Sequence, residues 1–164
     1  MRSLVAILAF FLVSACWSNS SSGTVFEART AAVRDGDSFI VKRGRNEFEV
    51  RLYGIDAPEK TQPWSDHARK GLRKLIDGQM LRIEMVERDR YQRIVARVYR
   101  VRDNLYINAK MIEAGHAWVY RRYTDDKQLT NGEKNARKSG LGLWQLPEHE
   151  RIPPWEWRKE NERS

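Results

Sequence analysis

Two short apolar runs separated by a turn constrain this chain more than any other part of its sequence. Residues 39–41 (Phe-Ile-Val) and 48–52 are apolar and partly alternating, as half-buried strands are. Residues 44–46 (Gly-Arg-Asn) lie between them and have turn composition. The pattern predicts a β-hairpin whose open end brings Asp37 close to the segment that begins at Arg51.

Acidic residues flank both predicted strands of this hairpin. Asp35 and Asp37 precede the first strand, and Asp56 and Glu59 follow the second. Hard cations such as Ca²⁺ bind several oxygens from separate chain segments, and Asp carboxylates together with a backbone carbonyl suit Ca²⁺. The open end of the hairpin is therefore a candidate cation site.

Simpler explanations of the same residues stay open at this point. The spacing is not that of an EF-hand loop, because Phe39 and Asn46 stand where that loop requires an Asp or Asn and a Glu. Taken alone, Asp35-Gly36 is a common turn dipeptide, and residues 56–59 could form a solvated turn before a helix. The combination of acids at both ends of one hairpin with an arginine in an apolar context favours a functional site.

The overall charge indicates an anionic partner. The chain has 164 residues, of which 30 are Lys or Arg and 22 are Asp or Glu, giving a formal net charge of +8. A nucleic acid is the first candidate partner and a membrane surface the second; a basic balance that only aids solubility is the alternative. The length suggests one domain, and the hydrophobic content of 41% is sufficient for a modest core.

The N-terminus has the pattern of an export signal. Arg2 provides a positive charge, and residues 4–13 form an apolar run too short to span a bilayer, so we interpret residues 1–15 as a signal peptide. Cys16, the single cysteine, lies at the cut position, as in bacterial lipoproteins; either it is lipidated or cleavage occurs at a nearby small residue. Residues 16–23 then form a Ser-rich tether. We expect an exported protein, either a lipoprotein of the cell envelope or periplasm or a secreted one.

The remaining chain predicts an α+β fold with a mainly β core. Beyond the hairpin, strands are predicted at residues 25–33, 80–86, 94–101 and 105–107, and helices at 64–77, at 109–114 and from 126 toward 139. We expect Asn108 to cap the second helix and Asp125 or Asp126 the third. Five main strands with a helix between the third and fourth indicate a five-stranded OB-type Greek-key barrel with about three helices. This domain occupies residues 24–146, and residues 147–164 form a basic tail that either packs its tryptophans on the barrel or extends from it.

Three segments resemble the signature segments of the staphylococcal nuclease (thermonuclease) family, in the same order and at similar spacing. They are residues 35–38 (Asp-Gly-Asp-Ser), residues 51–59 (Arg-Leu-Tyr-Gly-Ile-Asp-Ala-Pro-Glu) and residues 89–93 (Asp-Arg-Tyr-Gln-Arg). The resemblance extends over about residues 24–144 and independently implies an OB-type barrel. It also implies a Ca²⁺-dependent nuclease that hydrolyses the phosphodiester bonds of DNA and RNA and leaves 3′-phosphate ends.

The resemblance further implies roles for individual residues around the hairpin. Asp37 and Asp56 would bind Ca²⁺ together with the backbone carbonyl of Ala57. Glu59 would orient or deprotonate the attacking water. These assignments rest on the match to the family's segments, since the residues alone favour a functional site without assigning a role to each side chain.

Basic and aromatic side chains would hold the substrate. Arg51 and Arg93 would bind the phosphoryl oxygens, for which a guanidinium fork is better suited than a lysine. Arg51 could instead pair only with a nearby acid, and Arg93 could lie on a solvated strand edge. Arg90, Tyr91 and Tyr123 would bind the substrate, although core packing is the alternative for the two tyrosines.

The sequence departs from the family pattern at two positions. Gln92 stands where the best-known members have glycine, and Arg121 stands where a second binding tyrosine is often found. Arg90, Arg121, Arg122 and Lys127 could form a phosphate-binding surface, and contacts of that kind predict cleavage without sequence specificity.

Two other functions compete with the nuclease hypothesis. A non-catalytic OB-fold module could bind single-stranded nucleic acid in a basic groove, although three clustered acids facing a polyanion argue against it. An envelope lipoprotein whose basic face meets anionic lipid is supported only by the charge and the leader. We expect a monomer that contacts a membrane only through the possible N-terminal lipid anchor.

Overall fold

A computed structural model describes residues 24–161, which form a closed barrel surrounded by helices. Three consecutive strands begin the barrel: β1 (Val25–Val33), β2 (Ser38–Arg43) and β3 (Asn46–Leu52). The predicted signal peptide (1–15), Cys16 and the predicted tether (16–23) lie outside the described residues. The hairpin predicted from the two apolar runs is confirmed as β2 and β3, which pair antiparallel.

The second half of the barrel follows one helix. The short strand β4 (Ile55–Asp56) leads to helix α1 (Ser65–Ile76), which buries Ala68, Leu72 and Ile76 on one face. The next elements are β5 (Met80–Arg88), β6 (Ile94–Arg100), the short β7 (Leu105–Tyr106), α2 (Ile107–Glu113) and the short β8 (Trp118–Val119).

Strand pairing closes the barrel. The strand order is β3-β2-β1-β5-β6, and the additional parallel pairing of β3 with β6 joins the two ends. A shift in register between Thr30 and Ala32 lets β1 bend, so that it pairs with β2 on one side and β5 on the other. The predicted five-stranded barrel of the OB type is therefore confirmed.

The core lies inside the barrel and under α1 and α2. The alternation of the hairpin strands is confirmed, because Phe39, Val41, Val50 and Leu52 are at most 1% exposed. A second, smaller cluster contains Trp118, Ala136, Leu143 and Trp144, with Trp155 packed against it. Trp118 belongs to the short strand β8, so this cluster includes part of that strand.

The C-terminal part contains one helix more than predicted. Helix α3 (Lys127–Lys138) is capped by Asp126, whose carboxylate accepts from the backbone N–H groups of Gln128 and Leu129, as predicted. Two 3-10 turns follow, and then helix α4 (Pro154–Asn161), within the segment predicted as a tail. Residues 24–161 thus contain four α-helices, and none of them is both long and apolar enough to cross a bilayer.

The prediction that Asn108 caps α2 is wrong. Helix α2 already begins at Ile107, and the Asn108 side chain is fully buried. Its oxygen accepts from Val98 N–H, and its nitrogen donates to the carbonyls of Tyr53 and Ala96. Asn108 therefore joins β6 to the turn after β3 rather than closing the end of its own helix.

Candidate active site

The strand register determines where the candidate residues meet. Ser38 lies opposite Arg51 in the β2–β3 pair, so the residues just before β2 face the end of β3. Val50 pairs with Ile94 in the parallel β3–β6 contact, which brings Arg93 to the same end of the barrel. Hairpin pairing and barrel closure together gather three segments that are distant in sequence.

Arg51 forms the centre of this site. Its Nη1 lies 3.0 Å from Asp37 Oδ1, and its Nη2 lies 2.6 Å from Asp56 Oδ1. Asp37 and Asp56 are 3% and 1% exposed. The second oxygen of Asp37 accepts from the backbone N–H of Ala57 at 2.8 Å. The predicted ligand residues Asp37, Asp56 and Ala57 are therefore neighbours, and Arg51 joins the two acids.

Arg93 approaches the site through a serine. Its Nη1 lies 3.4 Å from Ser38 Oγ, which in turn donates to Asp37 Oδ1 at 3.0 Å. Its Nε forms a 2.7 Å ion pair with Asp89, and this contact holds the turn before β6. Arg93 is therefore one hydrogen-bonded residue away from Asp37 and does not lie on a solvated strand edge, since its side chain is only 21% exposed.

Glu59 is connected to the site by a residue that sequence reasoning missed. Arg158 in α4 places Nη1 2.5 Å from Glu59 Oε1 and Nη2 2.8 Å from Asp56 Oδ2. The described contacts thus run continuously from Arg93 through Ser38, Asp37, Arg51, Asp56 and Arg158 to Glu59. The two tryptophans and two prolines of the tail indicated that it could pack on the barrel, but nothing in the sequence pointed to Arg158.

Burial and charge shift the ionisation of these groups. Burial alone would lower the pKa of Arg51, yet the charges of Asp37 and Asp56 outweigh it and raise that pKa. Arg158 behaves in the same way: its hydrogen bond to Asp56 and the charges of Asp56 and Glu59 overcome burial and raise its pKa. Burial, followed by repulsion from Asp37, raises the pKa of Asp35 to about 6. The arginines therefore remain fixed positive charges among crowded acids.

An open cavity of about 420 Å³ lies beside these residues. Asp35, Asp37, Arg51, Asp56 and Glu59 line it, and Ala57 also borders it. The lining is rich in carboxylate oxygens and free of Cys and His, which is the chemistry that Ca²⁺ prefers over softer metals.

Side-chain donors alone do not complete a metal site here. Within residues 24–161, no group of three or more Asp, Glu, His or Cys side chains is arranged to hold a metal ion. Two carboxylates and one carbonyl would supply three of the roughly six to eight oxygens that Ca²⁺ takes. The donor set therefore fits a cation that keeps several positions for water or substrate oxygens.

The predicted substrate-binding residues lie around this site rather than in it. Tyr91 is 65% exposed, and its ring faces the guanidinium groups of Arg90 at 4.8 Å and Arg93 at 5.6 Å. Tyr123 is 50% exposed, and its backbone carbonyl accepts a hydrogen bond from the Tyr53 hydroxyl. The alternative prediction that these two tyrosines pack in the core is therefore wrong, because both residues are largely exposed.

The two departures from the family pattern have different structural consequences. Gln92 has a φ of +65°, a left-handed conformation that glycine adopts without strain. Arg121 is exposed and forms a 2.9 Å ion pair with the buried Glu133 of α3. Glu133 also accepts from the backbone N–H of Val119, so Arg121 partly serves to balance a buried acid.

Comparisons with known proteins agree with this geometry. The family model described as staphylococcal nuclease homologue matches residues 49–146. An uncharacterized endonuclease of Haemophilus influenzae is 34% identical over 155 residues, which is 94% of this chain and 82% of that protein.

Two further relatives cover most of both chains. An uncharacterized endonuclease of Escherichia coli is 37% identical over 130 residues, 79% of this chain and 83% of that protein. A micrococcal nuclease of Shigella flexneri is 33% identical over 168 aligned positions, 97% of this chain and 92% of that protein.

The barrel, the grouping of acids and arginines at its mouth, and these relatives define the class of protein: it is a nuclease, an enzyme that hydrolyses phosphodiester bonds. The chain belongs to the staphylococcal nuclease family. The resemblance carried by residues 35–38, 51–59 and 89–93 is thereby confirmed.

Proposed function

We propose that this nuclease is a Ca²⁺-dependent endonuclease that cleaves DNA and RNA without sequence specificity, leaves 3′-phosphate ends and acts as a monomer. The observation that carries the proposal is the unbroken chain of contacts from Arg93 to Glu59 beside one open cavity. This chain of contacts places acids that would bind a cation and activate a water next to guanidinium groups that would bind a phosphate.

Asp37, Asp56 and the carbonyl of Ala57 would hold the Ca²⁺. When bound, the cation supplies positive charge that offsets the charge developing on the phosphoryl group. Both carboxylates border the cavity and are nearly fully buried, so their negative charge is poorly screened by solvent. Their ion pairs with arginines keep them oriented until substrate arrives.

Glu59 would accept a proton from the attacking water. Its side chain is about 39% exposed and borders the cavity, so water reaches it, unlike Asp56. Attack of this water on phosphorus breaks the bond to the 5′ oxygen, which takes up a proton from solvent and leaves. The phosphate then remains on the 3′ oxygen of the other product.

Arg51 and Arg93 would bind the phosphoryl oxygens. Arg51 approaches Asp37 directly from β3, and Arg93 approaches it through Ser38 from the turn before β6. A phosphate between them would take the place of their carboxylate and hydroxyl partners. Its charge-assisted hydrogen bonds to the two guanidinium groups would strengthen as charge accumulates in the transition state.

The lack of sequence specificity follows from the surroundings of the site. Arg90 and the exposed Tyr91 offer a charge and a ring face, which bind backbone and bases of any sequence. A net charge of +8 favours association with any polyanion.

The decisive experiment is digestion of DNA and RNA by the purified protein with Ca²⁺ and with excess chelator, followed by identification of product ends. We expect cleavage only with Ca²⁺ and removal of the end phosphate by a 3′-specific phosphatase. Full activity after removal of all divalent metal would refute the proposed role of Ca²⁺.

The Glu59→Gln variant separates catalysis from binding. We expect it to retain DNA binding while cleavage falls by about 10²- to 10⁴-fold, the usual contribution of a general base. Unchanged cleavage would place the water-activating group elsewhere. Binding without cleavage in the wild-type protein would favour the non-catalytic OB-fold module instead.

We also propose that the protein is exported and anchored through a lipid on Cys16. The support is the apolar run at residues 4–13, which is separated from the single cysteine only by the small residues Ser14 and Ala15. Metabolic labelling of the full chain with a fatty-acid analogue is expected to label the wild type and not Cys16→Ser. An unlabelled protein cleaved at another small residue would identify ordinary secretion.

A further inference from the structure

The C-terminal helix reaches the active site although it lies beyond the part of the chain that the family model matches. The family match ends at residue 146, whereas α4 spans Pro154–Asn161. From α4, Arg158 contacts Asp56 and Glu59, residues that lie 102 and 99 positions earlier in the chain. The proposed ligand and the proposed water-activating acid therefore share one partner.

Two contacts hold α4 and the segment before it in this position. The Trp155 ring stacks on Tyr120, with centroids 5.1 Å apart and planes 4° from parallel. The buried Gln62 donates from Nε2 to the Ile152 carbonyl at 2.9 Å. The same Gln62 accepts from the Glu59 N–H at 2.8 Å, so it ties the backbone of the acidic turn to the segment before α4.

Arg158 would either support the carboxylates of Asp56 and Glu59 or block the cavity beside them. Its position relative to the cavity distinguishes these two roles. Asp56, Glu59 and Arg51 line the cavity, whereas Arg158 is not among the described residues that line it. A carboxylate oxygen that accepts one hydrogen bond retains a second lone pair. Asp56 Oδ2 can therefore bind Arg158 and still present an electron pair to a ligand in the cavity.

We propose that Arg158 is a positioning residue of the nuclease site, which orients Asp56 toward the cation and Glu59 toward the water. Asp56 and Glu59 repel one another when both are ionised, and the guanidinium of Arg158 offsets this repulsion while fixing both carboxylates. Its planar fork contacts two acids at once, which a lysine ammonium on a flexible stem does less well. This inference rests on the proposed function of Asp56 and Glu59.

The test compares Arg158→Gln with Lys159→Gln. Both changes remove one positive charge from α4, but Lys159 is exposed, so Lys159→Gln controls for net charge. Ca²⁺ binding is measured by calorimetry without nucleic acid, and kcat and KM are measured at saturating Ca²⁺. Supporting partners of metal ligands typically contribute about 10- to 100-fold in metal affinity or activity.

We expect Arg158→Gln to weaken Ca²⁺ binding and to lower kcat, each about 10- to 100-fold, with KM changing less. Arg158→Lys is expected to recover part of both losses, and Lys159→Gln to match the wild type. Trp155→Ala keeps Arg158 but removes the stacking that docks α4, so it should reproduce the losses in weaker form. If Arg158→Gln does not fold, Trp155→Ala is the variant that tests the proposal.

Three results overturn the proposal. If Arg158→Gln matches Lys159→Gln while the wild type binds Ca²⁺ and cleaves, only the role of Arg158 fails. Tighter Ca²⁺ binding or a higher kcat in Arg158→Gln would mean that Arg158 competes with the cation. A wild-type protein that neither binds Ca²⁺ nor cleaves would overturn the proposed function, and with it the inference.

Discussion

Arg51 and Asp37 form a 3.0 Å hydrogen bond across the open end of the β2–β3 hairpin, although they are 14 positions apart in the chain. The same guanidinium reaches Asp56 with its other terminal nitrogen. Because it also lines the cavity, Arg51 is positioned to exchange these carboxylates for phosphoryl oxygens. Its geometry is that of a fork, with two donors aimed at two different acceptors.

The first prediction concerns this fork. Arg51→Lys keeps the charge but removes one of the two directed donors, so we expect kcat to fall about 10²- to 10³-fold, as for the loss of one transition-state donor. Ca²⁺ binding is expected to change far less, because the positive charge beside Asp37 and Asp56 remains. Initial rates at saturating Ca²⁺ and calorimetric titration check the two expectations separately.

Arg45→Lys is the matched control for Arg51→Lys. Arg45 lies in the exposed turn at the opposite end of the same hairpin and should tolerate the change. Equal activity of the two variants would show that charge alone, without fork geometry, is sufficient at position 51.

The second prediction concerns the buried Asn108. Asn108→Ala would leave Val98 N–H and the carbonyls of Tyr53 and Ala96 without this partner. Since each unsatisfied buried group costs about 1–3 kcal/mol, we expect a clear loss in the free energy of unfolding, measured by urea denaturation. The exposed Asn135→Ala in α3 is the control. Equal stability of the two variants would contradict the bridging role of Asn108.

Asn108 also illustrates where sequence reasoning fails. An asparagine before a helical pattern fits the local rule for an N-cap, and Asp126 obeys that rule. Asn108 does not, because burial against β6 and the turn after β3 gives its amide three tertiary partners. The local pattern is the same at both positions, and only the position of the helix relative to the barrel distinguishes them.

The barrel and most of the site were predictable because they depend on local sequence patterns, whereas the role of Asn108 depends on tertiary packing. The alternation of the hairpin strands is a local property, and the hairpin itself carries Asp37 to Arg51 and Asp56. Arg93 required the family resemblance, because its approach depends on the parallel closure of β3 with β6. Arg158 depends on the docking of α4 through Trp155 and Gln62, which no periodicity in the sequence encodes.

The third prediction concerns the strained turn before β6. Gln92 has a φ of +65°, and the left-handed conformation costs a residue with a Cβ atom about 1–2 kcal/mol. Gln92→Gly removes this cost but adds chain entropy to the unfolded state, so we expect a net gain of about 2–4 °C in Tm, the shift that about 1 kcal/mol gives in a domain of this size. Gln92→Ala keeps the Cβ atom and is expected to give no such gain. A rise of equal size in both variants would assign the effect to the side chain and not to the backbone.

The fourth prediction concerns the pH dependence of stability. His116 accepts a hydrogen bond at Nδ1 from the indole N–H of Trp64 at 3.1 Å, a contact that joins α1 to the segment between α2 and β8. Burial, together with the nearby His67, lowers the pKa of His116. In the unfolded chain, His116 is therefore protonated as the pH falls through about 6.5, whereas in the folded protein it stays neutral to a lower pH. This contribution to stability is complete above about pH 6.5 and is lost as the pH falls toward the lower pKa of the folded state.

We expect His116→Asn to flatten the fall in the free energy of unfolding below about pH 6.5, because asparagine offers Trp64 an acceptor but does not titrate. Urea denaturation at a series of pH values measures the slope directly. The control is His149→Asn, which removes an imidazole that is 81% exposed. An unchanged slope in His116→Asn would mean that the acid sensitivity of the protein arises from groups other than this buried imidazole.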